Sequence, residues 1–263
     1  LDSGEFKAYY QPQYSSVTGK LVSAEALARW IKPDGSIVSP ADFIPFAEQS
    51  DLILKIDWYI LNEVCRFLKK RRDENRRCVP IAVNFSRRHS FESNFRSRLC
   101  ETVDSYGLER SLIELELTES HILGNNESII ALISEIRNDG FSVAIDDFGS
   151  GLSSLSLVKD VSANILKIDR SLLSGNCENE KERIVLESIF AFAHRLKLTT
   201  IAEGVETREQ LEFLRTCDCR LIQGFLFARP MPEDQFGEAC SQRIIDEYNE
   251  DILVTQAPAS VSD

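Results

Sequence analysis

The sequence predicts a closed α/β barrel of the (β/α)8 kind, and three observations carry that prediction. Short runs rich in β-branched and aromatic residues alternate with longer amphipathic runs from end to end. Eight such short runs fall within 263 residues, a length at which a single barrel domain is ordinary. No shift in composition marks a domain boundary, and repeated strand–helix alternation in one unit favours a closed barrel over an open doubly wound sheet.

The first four strands are expected at about 8–14 (AYYQPQY), 21–30 (LVSAEALARW), 79–85 (VPIAVNF) and 112–118 (LIELELT). Four more follow at about 141–147 (FSVAIDD), 164–168 (NILKI), 199–203 (TTIAE) and 220–225 (RLIQGF). Helical periodicity covers 40–70 in two pieces, then about 90–106, 125–139, 178–196, 207–216 and 232–247. Tyr106-Gly107 and Asp139-Gly140 supply helix stops just before strands. The Glu-rich stretch 178–182 suits a helix start, where carboxylates meet the positive end of the helix dipole. The barrel is expected to span residues 1–248, with 249–263 (ending APASVSD) as a disordered tail.

Composition narrows the function. Acidic residues outnumber basic ones 42 to 30, a net charge of −12, so a long nucleic acid is an unfavourable partner. A small phosphate ester remains open, because divalent cations held among carboxylates can reverse the local field. The seven cysteines lack the spacing of a zinc module or a disulfide scaffold and are read as reduced. The basic run KKRRDENRR, Lys69 to Arg77, reads as a solvated helix end. No apolar run is long enough to span a membrane and no secretory signal opens the chain, so cytoplasm is the expected location. The start at Leu1 suggests a domain cut from a longer protein, whose other part would be a sensor or regulatory domain.

In (β/α)8 barrels chemistry collects at the carboxyl ends of the strands. Each expected strand carries a polar group near that end: Gln11, Glu25, Asn84, Glu116, Asp146 with Asp147, Lys167, Glu203 and Gln223. Taken singly, each reads as a cap or loop start, and AIDDFGSGLSS around the Asp pair reads as a turn. The set is different, because packing does not require every strand to end in an oxygen or nitrogen donor. Crowded carboxylates repel unless protons or cations neutralise them. With oxygen donors and no histidine among them, the set suits Mg2+ or Mn2+ rather than zinc or copper. His89, His121 and His194 lie in or beside helical segments and are read as structural. Two ions would activate a water for phosphodiester hydrolysis, with Lys167 orienting that water or steadying the developing charge. An alternative for Lys167 is a Schiff base with a carbonyl substrate, which needs no metal.

The motifs EALARW (Glu25–Trp30), VNFS (Val83–Ser86), ELTE (Glu116–Glu119), DDFGSG (Asp146–Gly151), LKID (Leu166–Asp169), AEGVE (Ala202–Glu206) and Gln223-Gly224 keep their order and spacing. In these the sequence resembles the EAL-domain cyclic di-GMP phosphodiesterases, over residues 5 to 240. The resemblance implies a TIM-like barrel with its first strand antiparallel to its neighbours, hydrolysis of cyclic di-GMP to linear pGpG, two Mg2+ or Mn2+ ions, and a homodimer. It implies metal ligation by Glu25, Asn84, Glu116, Asp146, Asp147 and Glu203, with Asp146 bridging the ions. Lys167 resembles the lysine that contacts the attacking water, and Glu203 is also a general-base candidate. Gln11, Leu27, Arg29 and Gln223 resemble substrate contacts, and Glu206 a positioning group. Residues 147–154 resemble the family's mobile loop and Glu119 its anchor, while Leu152 departs from the aromatic common at that place. A catalytically silent cyclic di-GMP receptor or scaffold is the alternative function, disfavoured because each matched metal and lysine position keeps a competent side chain.

Overall fold

The structure is a computed structural model that describes residues 1, 3–118, 126–150, 155–173 and 179–241. Ten strands form one sheet: β1 (Phe6–Ser15), β2 (Leu21–Ile31), β3 (Ile37–Val38), β4 (Ile81–Asn84), β5 (Ile113–Thr118), β6 (Ser142–Phe148), β7 (Ile165–Ile168), β8 (Thr199–Ala202), β9 (Leu221–Ile222) and β10 (Met231–Pro232). Because β1 pairs with both β2 and β9, eight of them close into a barrel, and β3 and β10 extend it as short flaps. From β2 through β4 to β9 neighbouring strands are parallel, whereas β1 is antiparallel to both of its barrel neighbours. The expected closed barrel with an antiparallel first strand is therefore the observed one.

Helices α1 (Pro40–Glu48), α2 (Leu52–Asp73), α3 (Phe95–Ser105), α4 (Asn126–Asn138), α5 (Leu155–Asp160), α6 (Glu180–Arg195), α7 (Arg208–Thr216) and α8 (Glu233–Ser241) accompany the strands. Their starts are chemically marked. The Ser39 side chain caps α1 ahead of Pro40, the Asn179 side chain accepts from the Lys181 N–H at the head of α6, and Thr207 and Gln210 form a reciprocal capping box on α7. Gly107 and Gly140 take positive φ after α3 and α4, as their expected role as helix stops requires. The basic run at the end of α2 is only partly neutralised and not wholly solvated: Lys69 and Arg72 pair with Asp73, Arg76 with Glu74 and Lys70 with Glu233 of α8, while Arg71 is buried.

Alternation along the strands separates two environments. Residues facing the helices, among them Ile81, Val83, Ile113, Leu115, Val143, Ile145, Leu166 and Ile168, are apolar and fully buried. The opposite face carries polar residues, because register partners project to the same side: Gln11 with Glu25, Gln13 with Ser23, Asn84 with Glu116, and Glu25 with Ala82. Hydrophobic packing thus holds the strands from outside and leaves the barrel interior free for chemistry. Among the described residues no helix is long and apolar enough to cross a membrane. The expected tail at 249–263 lies outside the described residues.

Candidate functional site

Lys167 is the hub. Its side chain on β7 is about 1% exposed, and its ammonium lies 2.8 Å from Glu116 and Glu203, 3.0 Å from Asp146 and 3.2 Å from Glu25. These carboxylates come from β5, the end of β8, β6 and β2, so the barrel's closure assembles the group. Burial alone would drive a proton off Lys167, but the attraction of Asp146, Glu116, Glu203 and Glu25 outweighs it and holds the pKa well above the ordinary lysine value. A Schiff base requires a neutral amine, so this environment argues against that role for Lys167.

One ammonium does not balance the carboxylates. Burial raises Glu203 to about 8, with repulsion from Asp146 and Glu25 acting the same way and Lys167 opposing. Burial and then the neighbouring Asp146 raise Asp147 to about 6. Glu116 is pushed well above its usual value by burial and by Glu25. Glu25 behaves oppositely: burial would raise it, but Lys167 and hydrogen bonds from Gln223 and Asn84 leave it lowered. Those bonds are short, with Asn84 Nδ2 donating to Oε1 at 2.8 Å and Gln223 Nε2 to Oε2 at 2.6 Å.

The adjacent aspartates are explained by a bulge. Pairing between β6 and β7 steps from Ile145–Leu166 to Phe148–Ile168, so Asp146 and Asp147 together oppose the single residue Lys167. Asp147 takes φ +57°, in the left-handed region that Asp tolerates better than most residues. The strand's alternation is broken there, and oxygens of Asp146, Asp147 and Glu203 lie within 4.8 Å of one another.

The donor chemistry fits a hard divalent cation. Glu25, Glu116, Asp146, Asp147 and Glu203 supply carboxylate oxygens, and Asn84, whose Nδ2 donates to Glu25, also carries an amide oxygen. Glu116 Oε1 meets the Lys167 ammonium at 2.8 Å, whereas its Oε2 is buried with no hydrogen-bond partner, an oxygen left free for a hard cation.

The other expected residues stand at different distances from this centre. Gln11 lies in register with Glu25 and accepts from Gln223 Nε2 at 3.3 Å. Leu27 and Arg29 follow Glu25 on the same side of β2; Arg29 is half-buried and donates to the Ala28 carbonyl. Glu206 is exposed just before the α7 cap, and only its backbone N–H is engaged, by Gln210. Glu119 and Leu152 lie outside the described residues, as does His121. His89 is enclosed by Trp58, Phe85 and Phe95 and meets Asp57 at 3.1 Å, while His194 meets the Asp218 carbonyl at 3.1 Å. None of these bonds reaches the carboxylates around Lys167.

Sequence reasoning passed over Glu114, Gln13 and Ser23. Each lies two residues from a chosen position on the same strand face, deeper in the barrel, and is buried. Burial raises Glu114 to about 7. A search by steps of two from Glu116, Gln11 and Glu25 would have found all three.

A TIM-like barrel whose carboxyl-end mouth gathers oxygen donors around a buried lysine defines a class of barrel proteins equipped to hold divalent cations against a polar ligand. Within that class the chain belongs to the EAL domain family, whose sequence model matches residues 1–230. It is 36% identical over 236 residues to the oxygen sensor protein DosP of Escherichia coli, covering 89% of this chain and 29% of DosP. It is 33% identical over 232 residues to the cyclic di-GMP phosphodiesterase NbdA of Pseudomonas aeruginosa, covering 88% of this chain and 30% of NbdA. Among solved structures it is similar to the PaMucR phosphodiesterase in its c-di-GMP complex, with TM-score 0.84 and 33% identity over 90% of this chain and 96% of that one. The chain thus spans about a third of the length of these curated relatives.

Proposed function

We propose that this chain is a phosphodiesterase that opens cyclic di-GMP to linear 5′-pGpG with two Mg2+ or Mn2+ ions. The observation that carries the reading is the convergence of Glu25, Glu116, Asp146 and Glu203 on Lys167, with Asp147 brought in by the β6 bulge. Glu25, Asn84, Glu116, Asp146, Asp147 and Glu203 hold the cations. When bound, these supply charge neutralisation at the phosphoryl oxygens and a more acidic water.

The protein's own groups do the rest. Lys167 stays protonated and orients the attacking water by donation, or steadies negative charge developing at the phosphorus. Glu203 is the most exposed of the four carboxylates paired with Lys167, at 16%, and in its ionised form it takes a proton from an incoming water. Arg29 offers a forked guanidinium to a phosphate, Gln11, Leu27 and Gln223 line the substrate, and Glu206 positions the mouth. In the same reading the barrel occupies 1–248, works as a cytoplasmic homodimer and is attached to a sensor or regulatory domain, which the greater length of its relatives supports.

Purified protein incubated with cyclic di-GMP and Mn2+ should release pGpG, resolved by chromatography. EDTA and Glu25→Ala should each abolish the product. Intact dinucleotide that is bound but never cleaved would overturn the enzyme reading in favour of a receptor.

A further inference from the structure

Below the rim, a chain of buried side chains leads away from Glu25. A carboxylate can only accept, so Gln223 must turn its NH2 toward Glu25, at 2.6 Å, and its carbonyl away. That carbonyl accepts from Gln13 Nε2 at 2.8 Å. Gln13 is then left with its own carbonyl, which accepts from the Ser23 hydroxyl at 2.6 Å. The charge on Glu25 therefore fixes the direction of all three bonds, and the Ser23 hydroxyl, which can donate or accept, is set as the donor. The strand register makes this possible: Gln13 faces Ser23 and Gln11 faces Glu25 across the β1–β2 ladder. Gln13 is 0%, Gln223 5% and Ser23 6% exposed, so water is not at hand to replace a missing partner.

We propose that Ser23 and Gln13 are positioning residues, which lock the Gln223 amide and through it hold the Glu25 carboxylate in the orientation that takes a divalent cation. The proposal rests on the cation-binding reading of the site. Without the Ser23 hydroxyl the Gln13 carbonyl is an orphan in the barrel interior. Turning the Gln13 amide to relieve it would set its carbonyl against that of Gln223, and Gln223 would have to rotate its NH2 away from Glu25. The disturbance reaches the cation through two intervening side chains, as outer partners of metal ligands are known to do.

The test is calorimetric titration of Mn2+ into metal-free protein, beside thermal unfolding in EDTA. Ser23→Ala and Gln13→Met should each weaken Mn2+ binding about tenfold, the lower end for outer partners of metal ligands. Ser23→Thr, which keeps the hydroxyl, should return affinity to near the wild-type value, and a failure of this rescue overturns the hydroxyl's role. Two variants guard against misfolding of one, since unfolding in EDTA reports directly whether each is folded. Folded Ser23→Ala and Gln13→Met proteins that bind Mn2+ as wild type overturn the proposal alone. A wild type that binds no Mn2+ overturns it together with the cation reading.

Discussion

Lys167 fixes the charge balance of the mouth, so its removal is the most direct test at the scale of a single residue. Replacing it with Met leaves four carboxylates facing one another in a buried space, and breaking a buried pair in this way costs about 3–5 kcal/mol. Urea unfolding of Lys167→Met in EDTA should show that loss, and added Mn2+ should recover part of it, because a cation neutralises the same carboxylates. A variant as stable as wild type in EDTA would show that the ammonium is not the balancing charge. Protons provide a second handle. Glu203, Glu114 and Asp147 have folded pKa values of about 8, 7 and 6, above their ordinary values of 4.5, 4.5 and 3.8. Through these three groups the folded chain binds more protons than the unfolded one between about pH 4 and 8, so their contribution to stability falls as pH rises through that window. Melting in EDTA should accordingly shift to lower temperature from pH 5 to pH 8, and Mn2+ should raise it most at pH 8, where fewer protons compete. A melting temperature that stays flat across these pH values contradicts the assignment. The rim was legible in the sequence because polar residues at strand ends stand out against apolar runs. Glu114, Gln13 and Ser23 were overlooked because interior barrel positions are ordinarily apolar; only their two-residue offset from the rim residues on the same strand face marks them.

Elements were mostly legible by length, β9 being the exception: it was expected at about 220–225 although only Leu221–Ile222 form it. The long strands and capped helices carry enough residues to show a period, whereas β3 and β10, of two residues each, and α5, of six, do not. The β6 bulge has no sequence mark beyond the Asp pair and the glycine after it, since register is settled by the neighbouring strand and not by β6 alone. Another device of this scale is Gly224, two residues past the end of β9. Its neighbours bond to Val205 on both sides, with Val205 N–H donating to the Gln223 carbonyl at 3.1 Å and the Leu226 N–H to the Val205 carbonyl at 3.0 Å. A Cβ at position 224 would stand 2.1 Å from the Val205 carbonyl oxygen, which is backbone and cannot swing aside. Gly224→Ala should thus cost about 2 kcal/mol by overpacking, or on the order of 5 °C in melting temperature. It should also weaken Mn2+ binding by displacing Gln223 from Glu25. Unchanged melting and Mn2+ affinity would mean that the segment shifts without strain.

At the scale of the whole molecule, eight alternations made the barrel readable, but the direction of β1 was not, because reversing a strand leaves its inside–outside pattern intact. The antiparallel first strand was available only through the family resemblance. That strand has a structural consequence: it brings the chain's beginning and the last described elements together. β10 pairs with Tyr9 and Tyr10, and Phe236 of α8 is fully buried, stacked on Tyr10 at 4.9 Å and 5.6 Å from Phe67. Arg71 of α2 donates to the Gly237 carbonyl at 2.8 Å and reaches the Ser241 hydroxyl at 3.4 Å. The family match ends at residue 230, just before this segment, yet the segment covers the back of the strand that carries Gln11 and Gln13. Losing a buried Phe alone costs about 3–5 kcal/mol, so a chain ended at Arg229 should melt on the order of 10 °C below one ended at Ser241. The shorter chain should also bind Mn2+ more weakly, because a loosened β1 releases Gln13 and hence Gln223. A chain ended at Ser241 should keep the cooperative transition and Mn2+ affinity of the full sequence, because the described contacts to β1 and α2 are complete at that residue. Equal melting temperatures for the two truncations would show that β10 and α8 merely rest on the barrel, and that closure by β1 suffices to hold the mouth in shape.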